Sequence, residues 1–304
     1  MATPRPQGLP NAQPFNAALS LVSDPLMQLA LGCLSSDEQR ALERDLALAS
    51  QVQRQLLPPR DLRFSDWQIH YQYNPAGIVS GDYCDLIPPT NEDGKLMFLL
   101  GDVSGKGVAA SLLMTHLHAT FRTLASMDLE LQTLTGIANR LFCESTSAGQ
   151  YATLVCGRAS ATGEVEIVSA GHLPALLVTA NGVKELSATG IPLGIFSTST
   201  YTVHRTQLRP GDSLFLFTDG VSEAYDPSGC EYGIAGLARS AGERYRWAAD
   251  ELVSGCREDV ERYSGGARPT DDQTLLAIHF TEAEDVTFQA MAAQREVEFL
   301  SEGA

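Results

Sequence analysis

The spacing of hydrophobic and polar positions changes twice along the chain. Residues 1–35 open on Pro4, Pro6, Pro10 and Pro14 and then turn apolar from Leu19 to Leu34 without a period, as expected of a mobile arm with a short helix. From Ser36 the period becomes helical. Ser36 is in place as an N-cap with charged residues behind it, Leu42, Leu46, Ala49, Val52 and Leu56 recur at helical spacing, and Pro58 and Pro59 stop the run. An amphipathic linker helix is predicted over 36–59. Its stripe is narrow and repeats near every seventh residue at Leu42, Ala49 and Leu56, which fits either a helix–helix contact in a homodimer or packing on its own domain.

Beyond Pro59 the pattern is that of strands: 67–73, 96–100, 151–156, 164–168, 175–178, 213–217 and 274–280, most bounded by Gly, Pro or Asn. Helical stretches interrupt them at about 108–126, 130–147, 234–242 and 248–263. Strands in runs with grouped helices predict an α+β domain of antiparallel sheets over 60–281. An acidic tail is expected over 282–304.

Composition narrows the function. With 44% hydrophobic and 19% charged residues in 304, the chain is a folded domain of enzyme size rather than a disordered one. Its formal net charge of −16 repels phosphate backbones and anionic lipid, so no nucleic-acid or membrane partner is expected, and a cation site is readily accommodated. The six cysteines are scattered without metal spacing, and no secretion signal or long apolar span stands out, so a cytoplasmic protein with reduced thiols is expected.

Candidate chemistry lies where apolar strands meet aspartates. L-M-F-L-L-G-D ends at Asp102, S-L-F-L-F-T-D ends at Asp219, and Asp271 and Asp272 lead into Q-T-L-L-A-I-H-F; V-S-G-D-Y-C-D adds Asp82 and Asp85. A carboxylate at a buried strand end loses hydration and needs a cation or several N–H donors. If these ends converge, a hard divalent metal is what stabilises the set. The run G-D-V-S-G-K-G-V fails the Walker spacing, because only three residues separate Gly101 from Gly105, so Lys106 is expected to be exposed rather than catalytic. His116 and His118 fall on opposite sides of a predicted helix, His172 reads as a structural hydrogen-bonding residue, and no Ser or Cys lies in a nucleophile-elbow context.

Taken in order, A-S-Q-V-Q-R-Q-L-L-P-P, S-G-D-Y-C-D, G-D-V-S-G-K-G-V-A-A-S-L-L-M, Y-A-T-L, S-A-G-H-L-P, G-I-P-L-G, L-R-P-G-D-S-L-F-L-F-T-D-G-V-S-E-A and D-D-Q-T-L-L resemble the SpoIIE/RsbU branch of the metal-dependent PPM (type 2C-like) serine/threonine phosphatases, over residues 48–280. The resemblance implies an αββα sandwich of two antiparallel sheets flanked by helices, with two Mn²⁺ or Mg²⁺ ions at one edge. By position in the motifs it implies Asp82, Asp102, the Val103 carbonyl, Asp219 and Asp271 as ligands, with Asp272 as a further candidate. It implies hydrolysis by a metal-activated water, with no protein nucleophile. No Arg lies between Arg63 and Asp82, where eukaryotic relatives carry a phosphate-clasping one.

The substrate implied is a phosphorylated STAS-domain protein, an anti-sigma-factor antagonist in a bacterial partner-switching pathway, with a separate activator protein as a further partner. The segment Gly190–Phe196 is a candidate for part of the docking surface, although a buried loop is the favoured reading of its apolar residues. The alternative is a signalling scaffold with the PPM fold but no catalysis; it is disfavoured because the aspartates that a decayed enzyme would lose are present.

Overall fold

The computed structural model describes residues 35–89, 94–127 and 129–281. The arm before Ser35 and the tail beyond Thr281 lie outside the described residues. Helix α1 (Ser36–Leu56) is followed by strands β1 (Asp61–Phe64), β2 (Trp67–Asn74), β3 (Asp82–Ile87) and β4 (Leu96–Val103). Helices α2 (Gly107–Ala125) and α3 (Leu131–Ser145) precede β5 (Ala152–Ala159), β6 (Glu164–Ala170), β7 (Ala175–Thr179), β8 (Gly182–Leu186), β9 (His204–Gln207) and β10 (Ser213–Phe217). The chain continues through α4 (Asp219–Ser222), α5 (Gly233–Glu243), α6 (Ala249–Tyr263) and β11 (Gln273–Phe280).

Two sheets form, ordered β1-β2-β11-β10-β7-β8 and β3-β4-β5-β6-β9, with neighbouring strands antiparallel. Alternation along the strands makes three apolar layers. Trp67, Ile69, Phe98, Leu100, Leu216 and Ile278 fill the space between the sheets. Met97, Leu99 and Leu154 on the outer face of the five-stranded sheet meet Met114 and Phe121 of α2 and Leu134 and Phe142 of α3. Phe215, Phe217 and Leu275 on the outer face of the other sheet meet Leu237 of α5 and Leu252 and Val253 of α6. The architecture is the expected αββα sandwich.

Strands β1, β3, β8 and β9 were not predicted; β1 has only four residues, alternately exposed and half-buried. All but the last residue of β3 is buried, two aspartates included, so it shows no alternation, whereas β8 and β9 are short and largely exposed. The cap of α1 also differs. Ser35, not Ser36, is the N-cap, because Glu38 lies three residues on and closes a capping box with it. Of the predicted stripe, Leu42, Leu46 and Leu56 are half-buried while Ala49 and Val52 are exposed. The side chain of α1 that the domain buries is Gln53, whose amide donates to Ser80 O at 2.7 Å and accepts from Ser80 N at 3.0 Å.

Candidate active site

The carboxylates gather where β3, β4, β10 and β11 reach the same end of the sandwich. Asp82 opens β3 and lies in register with Asp102 near the end of β4, so two acidic residues face each other across one ladder, a destabilising arrangement for like charges without a cation. Asp219 follows β10 at the start of α4, and Asp271 and Asp272 precede β11. The ends of β10 and β11 are joined by Thr218 N donating to Thr274 O at 3.0 Å. Gly220 permits this closeness: a Cβ there would sit 2.2 Å from Asp272 O.

Asp82 is fully buried. Its Oδ2 accepts from Thr218 Oγ1 at 2.9 Å and from Thr274 Oγ1, while its Oδ1 has no partner among the described residues. Desolvation, then Asp102 and Asp272, push its pKa well above the usual carboxylate value. Asp102 is pushed up to about 7 by burial and by the charges of Asp219, Asp271 and Asp272, and Asp219 is raised by burial and by Asp271. An orphaned buried oxygen and carboxylates crowded so that their charged forms are disfavoured until a cation compensates them are a donor set that fits hard divalent cations. Among the described residues no three acidic, His or Cys side chains already form a closed cage. The cation in contact with the group is Lys106, whose Nζ lies 2.8 Å from Asp271 Oδ2 and donates to Thr270 O at 3.1 Å. Lys106 is therefore part of the rim of the site, where spacing alone suggested only an exposed side chain.

The aspartate pair before β11 divides its work. Asp272 accepts from Ala76 N at 2.8 Å through Oδ1 and from Gly81 N at 2.9 Å through Oδ2, so both its oxygens hold the β2–β3 connection that carries Asp82. Asp271 faces Lys106 and the cluster. Val103, also a candidate, is buried at the end of β4, its N donating to Gly81 O at 3.4 Å. Asp85 takes no part: it points to the opposite face of β3, in a bidentate pair with Arg122 of α2 at 2.8 and 2.6 Å and with His118 at 3.6 Å.

His172 is the structural residue expected, and its position adds to the site. Its Nε2 lies 3.1 Å from the Phe217 carbonyl, which only accepts, so Nε2 carries the proton and Nδ1 accepts from Thr153 Oγ1 at 2.8 Å. Phe217 ends the strand before Asp219, and Thr153 stands opposite Asp102. The ring thus ties the two sheets together directly behind the carboxylates. Burial pushes its pKa down to about 4, so it stays neutral. Thr153, Thr218, Thr274 and Gln53 lie within the motifs that carry the resemblance, yet their roles do not show there, because each acts through a partner from another strand or helix.

Known proteins resemble this chain in sequence and in fold. The chain is 25% identical to the protein IcfG of Synechocystis over 264 residues, covering 77% of this chain and 41% of IcfG. It is also 25% identical to the phosphoserine phosphatase RsbU of Bacillus subtilis over 194 residues, covering 63% of this chain and 57% of RsbU. The chain thus spans about half the length of these relatives. Its fold matches the solved PP2C domain of SiaA from Pseudomonas aeruginosa with a TM-score of 0.69 at 19% identity, covering 81% of this chain and 98% of that one. It also matches the catalytic domain of the serine/threonine phosphatase PstP solved with 2 manganese ions, with a TM-score of 0.52 at 12% identity, covering 71% of this chain and 99% of that one. Residues 92–281, which hold every candidate ligand except Asp82, match the family described as stage II sporulation protein E (SpoIIE), and the chain belongs to that family.

Proposed function

We propose that the chain is a metal-dependent serine/threonine phosphatase acting on a folded phosphoprotein of the STAS type in a bacterial partner-switching pathway. One observation carries this reading: Asp82 and Asp102 oppose each other at the sandwich edge beside Asp219 and Asp271, with one buried carboxylate oxygen unpartnered. Asp82, Asp102, the Val103 carbonyl, Asp219 and Asp271 would hold two Mn²⁺ or Mg²⁺ ions; Asp272, both oxygens taken by backbone N–H groups, orients the loop instead. Bound ions of this kind lower the pKa of a water and neutralise the oxygens of a phosphate monoester.

The protein's own part is placement. Thr218 and Thr274 fix Asp82 through one oxygen and leave the other for a ligand, while His172 keeps the strand ends bearing Asp102 and Asp219 in line. The names of RsbU and of the manganese-bound PstP support this chemistry. Helix α1 is assigned a homodimer seam, since Ala49 and Val52 are not covered by its own domain, with a separate protein as activator. Asp102→Asn and Asp219→Asn should each lower kcat for phosphoserine hydrolysis by on the order of 10²-fold or more while circular dichroism is unchanged. Full activity in either variant would falsify the reading.

A further inference from the structure

Residues 190–193 extend the five-stranded sheet past the end of β6, where Leu193 and Ala152 exchange backbone hydrogen bonds of 2.8 and 2.9 Å. Ala152 is in turn paired with Val103. Two strand spacings, about 10 Å, therefore separate the backbone of Leu193 from that of Val103 beside the carboxylates. This segment and the loop that follows it present Ile191, Ile195 and Phe196 to solvent, 41%, 42% and 65% exposed, while Leu193 is buried between them.

This apolar rim is rigid. Buried Asn139 of α3 donates to Phe196 O at 2.9 Å and accepts from Gly194 N at 3.0 Å. Gly194 has φ +92°, and a Cβ there would lie 2.7 Å from Gln150 O, so the loop is built for glycine at that point. Next to it lies a cavity of ≈ 440 Å³ lined by Arg140, Thr133, Ser197, Thr198 and Ser199. Arg140 makes no ion pair among the described residues, in a chain whose net charge is −16.

A protein interface of ordinary size covers about 800 Å² on each partner, a disc of about 16 Å radius. A folded protein whose phosphoserine reaches the carboxylates therefore extends over the Leu193 backbone that leads into this loop, whereas a small phosphate ester does not. Resting on the phosphatase reading, we infer that the Ile191–Ser199 loop and Arg140 form the docking surface for the phosphoprotein substrate. The substrate would set an apolar side chain on Phe196 and a carboxylate in the Arg140 cavity. Rigid apolar and Arg anchors of this kind lose little entropy on binding and dominate interface energetics.

The test compares Phe196→Ala and Arg140→Glu with the unaltered full-length chain, with Mn²⁺, on three substrates: a serine-phosphorylated STAS-domain protein, a phosphoserine peptide cut from it, and p-nitrophenyl phosphate. Each variant should lose about tenfold or more in kcat/KM on the phosphoprotein and stay within about twofold on the two small substrates. Unchanged turnover of the phosphoprotein, or an equal loss on all three, overturns the docking surface. If the unaltered chain hydrolyses none of them, the phosphatase reading fails, and the surface is judged by calorimetric binding of the phosphoprotein to the Asp219→Asn chain. There a tenfold weakening by Phe196→Ala supports it, and unchanged affinity overturns it.

Discussion

Asp82 and Asp102 show how a single ladder position serves function at the expense of stability. Two carboxylates in direct register, one fully buried, repel each other until a cation joins them. Asp102→Asn should therefore raise the Tm of the chelator-treated protein by about 2–4 °C, as relief of about 1 kcal/mol gives in a domain of this size, while shrinking the further rise caused by Mn²⁺. Thermal unfolding with and without Mn²⁺ checks both signs, and a lower metal-free Tm would count against the opposed-charge picture. His172 makes a prediction about pH. Its folded pKa of about 4 lies below the ordinary 6.5, so the unfolded chain takes up the proton first. The stability it contributes is complete above pH 6.5, falls as the pH drops, and levels off below about 4, a total of about 3 kcal/mol. Urea unfolding of the unaltered protein and of His172→Gln should show their difference shrinking by about 2 kcal/mol from pH 7 to pH 5. A constant difference would mean that the buried ring does not control this titration.

Among the elements, α1 was legible as a helix from its leucines, yet the residue that joins it to the domain was not. Gln53 looks like any exposed polar position in the sequence; only the fold brings Ser80, one residue from Gly81 and two from Asp82, against it. Gln53→Ala leaves Ser80 N and O without these partners in a buried setting, at a cost of about 1–3 kcal/mol, and should raise the Mn²⁺ concentration for half-maximal activity. An unchanged metal requirement would separate α1 from the site. The same helix carries the proposed homodimer seam: Leu42→Asp with Ala49→Asp should move the protein toward monomer in sedimentation, and an unaltered oligomeric state would remove the seam from consideration. Strand β3 was hidden for a different reason. Burial on both faces, achieved by pairing Asp85 with Arg122 and Asp82 with two threonines, erases the alternation by which strands are read.

At the scale of the molecule, the sandwich was legible because apolar strands came in runs and helices in groups, and strand-end aspartates marked the working edge. What could not be read was the division of labour inside that edge. Asp271 and Asp272 are adjacent and chemically identical, and their roles separate only because the β2–β3 connection lends two N–H groups to Asp272. Among the described residues Cys84, Cys143, Cys156, Cys230 and Cys256 are free, and no helix is long and apolar enough to cross a membrane. The central claim is that the carboxylate edge works only with metal bound. Phosphate release from a serine-phosphorylated STAS-domain protein, followed while Mn²⁺ is titrated into chelator-stripped protein, tests it most directly, with calorimetry of the same titration. The prediction is no turnover with EDTA, a saturable onset with Mn²⁺, and two ions bound per chain; full turnover in EDTA would contradict it.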